Sequence, residues 1–502
     1  MAIRVFAAID VGSFELELGI YEISARNELR QVDHLRHVIS LGRDTYRNGK
    51  VSYELVDEMC QVLKEFCEVM KTYQVEGYRA YATSAMREAE NRQIILDQIR
   101  VRTGIEVRIL SNSEQRFLSY KAIALKEAEF QKIIQKGTAI ADVSFGSMQI
   151  SLFDKDSLVT TQNIPLGVLR IREILSGIHV NSQTEKDIIE DMVDNELYAF
   201  KKMYLKDRDI EHLIGIGESI LYLAKDAAGG KKVDRISAED FKRFYDRIIK
   251  MPLYQIEDVF GVNEEYAKLL IPSVIIYRKI LEMTGAEMVW IPGIRLCDGI
   301  AADYAESIKC LKFTHNFEDD IMTASRNMAK RYRCNTSHGL CMENCVMTMF
   351  DVMKKYHGLG RRERLLLRIA SVIHDCGKFV SLRDSSRCAY NIIMSTEIIG
   401  LSHMEREIIA NVVSYNLAPF DYNKDSMLAA KLTAMLRLAN AMDRSHRQKL
   451  ADCKMSIKGS ELIIATSYIG DLSLEIMAVN AKADFFEEIF GIRPVVKQKR
   501  RV

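Results

Sequence analysis

Apolar and polar positions change period twice within the first stretch of the chain. RVFAAID is a short apolar run closed by Asp10, VGS is a turn, and FELELGIYEI alternates so that Leu16, Leu18 and Ile20 share one face. This predicts a strand, a tight turn and a returning strand. The same pattern recurs one domain-length later in TAIADVSFGSMQISLFD. There Asp142 closes the apolar run, Ser144 to Ser147 make the turn, and Ile150 and Leu152 alternate with Gln149 and Ser151. Two equivalent hairpins at that spacing predict a duplicated α/β unit with a cleft between its halves. A third small turn, LIGIGESILYLAK, sets Gly215 and Gly217 just before a helical pattern, a place suited to holding an anion at a helix N-terminus. Beyond residue 310 helical periods dominate, and from Lys454 short alternating runs return.

Composition narrows the class. A chain of 502 residues exceeds what one growing core accommodates, so several domains are expected. Hydrophobic residues make up 48% of it, the net charge is +1 and there are 6 prolines, which argues against disorder and against bulk nucleic-acid binding. No run approaches a membrane span or a signal-peptide core, so the cytoplasm is the expected location. Ten cysteines without a C-x-x-C pair read as free thiols. The basic run KQKRR at 497–501 reads as a solvated tail.

The three turns, taken with the segments around them, resemble the exopolyphosphatase/guanosine pentaphosphatase (Ppx/GppA) family. That family carries an aspartate followed by Gly-Ser-Asn-Ser, then a Gly-Gly-Gly-Ser-Thr-Glu loop, then a Gly-Thr-Gly-Gly-Thr loop. Here YATSAMREAEN and GIEVRILSNSEQRFLSYKAI are similar to its ATSALRDAxN and GIEVxxISGEEEARLIYxGV segments. YAKLLIPSVIIYRKILEMTGAEMVWIPGIRLCDG is similar to the stretch closing its second core domain. The resemblance implies a duplicated α/β actin-like (ribonuclease H-like) core with lobes at 1–125 and 126–305. NTSHGLCMENCVMTMFD, RRERLLLRIASVIHDCGKFV, GLSHMEREIIANVVSYN and LRLANAMDRSHRQKL resemble the attached HD domain. It implies an all-α HD domain at 310–448 and a small α+β tail at 449–502.

Hydrolysis of a phosphoanhydride needs backbone N–H groups and cations around the phosphates and a carboxylate to orient or deprotonate water. Carried over position by position, the resemblance implies phosphate contacts at Gly12, Ser13, Arg87, Gly146, Ser147, Gly215 and Gly217, with Asp10 and Asp142 holding Mg²⁺. The two positions of the family's catalytic glutamates carry Gln115 and Gln149, and an amide neither accepts a proton near neutral pH nor brings charge to a metal. Glu114 is then the candidate displaced base. Other departures are Phe14 and Glu15 in the first turn, Ser144 and Phe145 in the second, Glu218 for a glycine in the third, and Phe117 for an arginine, with Arg116 adjacent.

In the HD segment the implied metal ligands are His338, His374 and Asp375. Ser385, Ser386, Cys388, Asn416 and Asn440 replace the others, so a dinuclear site is not expected. Cys334, His338, Cys341 and Cys345 share a helical face, for which packing of small thiols is favoured over a zinc site. Two functional classes follow. One is a phosphoanhydride hydrolase acting on polyphosphate or guanosine penta- or tetraphosphate with Mg²⁺, with homodimerisation as an option for its assembly. The other is an inactive phosphate- or nucleotide-binding regulator. The ATSAMRE and SNSEQR segments discriminate against a kinase of the same superfold.

Overall fold

The first hairpin forms as its alternation requires. In the computed structural model β1 (Arg4–Val11) pairs antiparallel with β2 (Glu15–Ser24), Asp10 standing opposite Glu17 and Val11 opposite Leu16. The structure describes residues 3–24, 28–178, 182–205, 208–227 and 234–498; the basic run at 497–501 lies outside them from residue 499 onward. The chain divides into two compact units, Met1–Asp320 and Ile321–Val502.

In the first unit β3 (Glu28–Val38) extends the hairpin on one side, while β4 (Gly77–Ala82) and β5 (Val107–Ile109) add in parallel on the other. The order is β3-β2-β1-β4-β5. Both faces of this sheet are covered, which is why β2 is buried along nearly its whole length. Ala7, Ile9, Leu16, Leu18 and Ile20 pack against the helices Tyr53–Thr72 and Arg92–Thr103. Phe6, Ala8, Tyr21 and Ile23 pack against the helix Leu296–Ser307. Each fully buried Leu, Ile or Phe side chain here removes enough surface from water to stabilise the lobe by about 1.5–3 kcal/mol.

The second sheet repeats that order. β6 (Thr138–Val143), β7 (Met148–Asp154) and β8 (Ser157–Ile164) form an antiparallel meander. β9 (His212–Ile216) lies parallel to β6, and β11 (Met288–Trp290) parallel to β9, with β10 (Arg235–Ser237) antiparallel at the edge. Its order is β10-β11-β9-β6-β7-β8. Asp142 stands opposite Gln149, the register that Asp10 and Glu17 have in the first hairpin.

The second unit is helical with a small sheet. The helices Thr336–Val352, Arg361–Ile373, Ser385–Ser395, His403–Tyr415 and Met427–Met442 pack around a core of Met, Ile, Leu and Ala. β12 (Lys454–Lys458) pairs antiparallel with β13 (Glu461–Thr466), and β14 (Arg493–Gln498) lies parallel to β13. Parallel neighbours need a crossover, and the helix Ser473–Phe490 supplies it. That helix packs along Met427–Met442, so the expected tail at 449–502 belongs to the same compact unit as the helices before it.

Candidate functional site

Two pairs of parallel strands, β1 with β4 and β6 with β9, end at one place in the first unit, and loops from both sheets meet there around a cavity of about 100 Å³. Ligands of open α/β sheets bind outside the carboxyl ends of strands, because backbone N–H groups of loops and helix starts converge there. The wall carries Asp10, Glu15 and Glu17 from the first hairpin and Asp142 from the second. Gln115, Glu218 and Arg295 also line it. The parity of β2 explains its acidity. Leu16, Leu18 and Ile20 face one way, so Glu15 and Glu17 face the other, beside Asp10.

The Oδ1 atom of Asp10 is buried and unpartnered, and desolvation, then Glu17, Glu15 and Asp142, push its carboxyl well above the usual range. Asp142 accepts from Ser144 Oγ at 2.8 Å and from Ser119 Oγ at 3.3 Å, yet burial still raises it. Glu15 is pushed up to about 8 by burial, against the pull of Arg36 and with Glu17 and Glu218 adding. Arg36 Nη1 lies 3.0 Å from Glu218 and 3.6 Å from Glu15, and Arg295 Nε lies 3.3 Å from the other oxygen of Glu218. Gln115 is buried at the wall with its Oε1 unpartnered.

Several residues singled out from the sequence are placed here. Gly12 and Ser13 line the cavity, although the Ser13 hydroxyl already bonds Tyr46 and Ser84 at 2.8 Å each. Gly217 lines it at φ +124°, turning the chain sharply against β6, where a side chain would be strained. Gly146 abuts Tyr46 and Ser84, leaving no room for a Cβ. Gly215, inside β9, Ser147 and Gly146 are not on the wall. Gln149 is also away from it, its Oε1 accepting from Arg116 Nε at 3.0 Å.

Two expectations meet a different geometry. Glu114 is the third residue of a capping box: its carboxylate accepts from the Ser111 N–H at 2.9 Å and lies 3.2 Å from Arg108, off the cavity wall. Arg87 donates to the Leu110 carbonyl at 2.6 Å and is likewise not on the wall. Local backbone groups engage both side chains. Phe14 leaves its own lobe to join the core of the second, its ring 4.9 Å from Phe145 and 6.0 Å from Tyr266. Phe117 packs on Phe317 with ring centroids 5.4 Å apart.

Sequence reasoning missed Glu17, Ser119, Arg36 and Arg295. Glu17 was detectable, since it follows Asp10 by the same interval at which Gln149 follows Asp142. Arg36 reaches the site because β3 pairs with β2 so that Arg36 stands opposite Glu17.

In the second unit His338 Nδ1 lies 2.8 Å from Asp443 and its Nε2 lies 3.2 Å from Asn440. The ring of His374 is 5.0 Å from that of His338, its Nδ1 donates to the Ser371 carbonyl at 2.7 Å, and its buried Nε2 has no hydrogen-bond partner. Burial pushes His374 down to about 4, with Asp375 opposing and His338 adding. Lys378 Nζ sits 2.6 Å from Asp375. Thus the three expected ligands come together, but an ammonium already neutralises the aspartate. Among the described residues no group of three His, Cys, Asp or Glu side chains is arranged to hold a metal ion.

Residues 20–307 match the Ppx/GppA phosphatase family, and residues 322–473 match domain III of Ppx/GppA phosphatases. The chain belongs to the Ppx/GppA phosphatase family. It is 19% identical over 468 residues to a guanosine-5'-triphosphate,3'-diphosphate pyrophosphatase of Photobacterium profundum, covering 91% of each chain. It is 20% identical over 298 residues to exopolyphosphatase 1 of Mycobacterium tuberculosis, covering 58% of this chain and 86% of that one. The chain is similar in fold over about three fifths of its length to solved structures that include the following two. One is an exopolyphosphatase from Cytophaga hutchinsonii, with a TM-score of 0.54 and 17% identity, covering 62% of this chain and 100% of that one. The other is a Ppx/GppA family member from Aquifex aeolicus, with a TM-score of 0.51 and 20% identity, covering 61% and 99%. The fold is therefore an actin-like Ppx/GppA core with mixed sheets, followed by a helical C-terminal region. Among the described residues no helix is long and apolar enough to cross a membrane.

Proposed function

We propose that this Ppx/GppA protein is a cytoplasmic phosphoanhydride-binding protein whose ligand is polyphosphate or a guanosine penta- or tetraphosphate, and that it hydrolyses that ligand slowly. The observation that carries the reading is the pairing at the cavity of Asp10 and Asp142 with an amide, Gln115, where water activation needs a base. Attack of water on a terminal phosphorus breaks the bridging P–O bond and releases a proton. An amide does not take that proton at neutral pH. Loss of general-base help costs about 10²–10⁴ in rate.

The orphaned, buried Oδ1 of Asp10 fits a cation, as does the elevation of its carboxyl by burial and then by neighbouring carboxylates. Asp10 and Asp142 would hold Mg²⁺, which supplies charge neutralisation for the bound phosphates. The remaining steps fall to the protein's own groups. Ser13, Ser84 and the turn at Gly217 shape the wall, and burial excludes bulk water. For the second unit we adopt the HD-type reading, supported by the proximity of His338, His374 and Asp375; Lys378 argues that it works without a dinuclear metal centre.

The test is phosphate release by purified protein from tripolyphosphate and from guanosine pentaphosphate at saturating substrate and Mg²⁺. Slow turnover, well below the roughly 1–10³ s⁻¹ common among enzymes, is expected. Binding without any release favours the regulator reading, for which Gln115 is again the carrying observation. Neither binding nor release overturns both.

A further inference from the structure

Glu218 lines the cavity, and its carboxylate stands between two guanidinium groups, that of Arg295 on the wall and that of Arg36 behind it. Arg36 Nη1 approaches one oxygen of Glu218 at 3.0 Å and Arg295 Nε approaches the other at 3.3 Å. Glu218 opens the helix Glu218–Ala227, directly after the sharp turn at Gly217, and its side chain is only 11% exposed. The first turn of a helix presents N–H groups without intrahelical acceptors and the positive end of the helix dipole. Two guanidiniums beside such an end make a receptor for a phosphate group. A carboxylate of the protein fills it. The Tyr222 hydroxyl accepts from Arg36 Nη2 at 3.2 Å and keeps that guanidinium turned toward the site.

We propose that Glu218 is a specificity-determining residue. Its carboxylate occupies the anion subsite formed by Arg36, Arg295 and the start of the Glu218–Ala227 helix, and a phosphate group of the ligand enters only by displacing it. The proposal rests on the reading of the cavity as a phosphoanhydride site. Displacement leaves an acid without its cations beside an incoming polyanion. The subsite therefore sets a threshold that a weakly charged phosphate does not pass. A ligand with several adjacent phosphate groups has more contacts with which to pass it.

Binding of radiolabelled tripolyphosphate, measured by equilibrium dialysis at fixed salt and Mg²⁺, tests this without reference to turnover. Glu218→Gln keeps the shape and removes the charge, so the dissociation constant should fall by on the order of tenfold to a hundredfold, the usual worth of a charged hydrogen-bonding group. Glu218→Ala should act in the same direction, and thermal melts identify any variant that fails to fold. Adding Arg36→Gln to Glu218→Gln should return the affinity to the wild-type level, because the freed guanidinium is the group that gains the ligand. If wild type binds and both folded Glu218 variants bind no tighter, the assignment of Glu218 falls while the cavity reading stands. A gain that persists without Arg36 also overturns it. If no form binds tripolyphosphate or guanosine pentaphosphate at millimolar concentration, the cavity reading itself falls.

Discussion

Gln115→Glu places a carboxylate at the one cavity position where the family's water-activating acid is replaced by an amide and where the present side chain has an unpartnered buried oxygen. Gln149→Glu does not have this property, because Gln149 is held by Arg116 away from the wall. The single change should therefore carry the gain. A positioned base is worth about 10²–10⁴ in rate. The full factor is not expected at neutral pH, because the introduced acid joins Asp10, Glu15, Glu17, Asp142 and Glu218 in a buried cavity. Burial and like charge already push Glu15 to about 8, and the same causes should raise the introduced group. Each unit of elevation above the working pH lowers the ionised fraction about tenfold. A gain on the order of tenfold to a hundredfold at pH 7 follows, growing as pH rises toward 8 or 9, since a base acts only when deprotonated. The assay is phosphate release from tripolyphosphate at saturating substrate and Mg²⁺ across pH 6–9 for wild type and variant, with the effect in kcat rather than KM. A variant no faster than wild type at any pH refutes the reasoning, as does a wild type already turning over at typical enzymic rates.

Three further outcomes are expected. Glu15 is protonated more readily folded than unfolded, so its contribution to stability is lost as pH rises from about 4.5 through about 8; Glu15→Gln should raise the melting temperature by roughly 4 °C or more at pH 8 and much less at pH 5. Phe14→Ala removes a ring buried between Phe145 and Tyr266 and should cost about 3–5 kcal/mol in denaturant unfolding of the first unit; a loss below about 1 kcal/mol would show that the aromatic cluster does not tie the hairpin to the second lobe. His374 is held neutral, near 4, so the unfolded chain binds the extra proton and stability should fall by roughly 3 kcal/mol as pH drops from about 6.5 to about 4; His374→Gln should flatten that pH profile, measured by urea unfolding of the full chain.

Much of the architecture was legible because it follows from local periods. The alternation of Leu16, Leu18 and Ile20 demanded a strand with one face in the core, and it thereby put Glu15 and Glu17 on the face of Asp10. The recurrence at Asp142 announced a second sheet with the same hairpin. The capping role of Glu114 was also written locally, as Ser111 followed three residues later by an acid, although its place in a family motif suggested chemistry instead.

The sequence by itself determined the hairpins, the family and the replacement of two glutamates by amides. Those properties depend on neighbours along the chain, whose sterics and hydration set the period of each element. Only the tertiary structure decided which side chains share the cavity. Arg36 arrives through strand register, Arg295 through a loop far along the chain, Phe14 by crossing into the other lobe, and Arg87 is withdrawn by a carbonyl. The reason is electrostatic as well as geometric. A carboxylate's charge, partners and pKa depend on what else lies within a few ångströms in a low-dielectric enclosure, and chain closure over hundreds of residues sets that company.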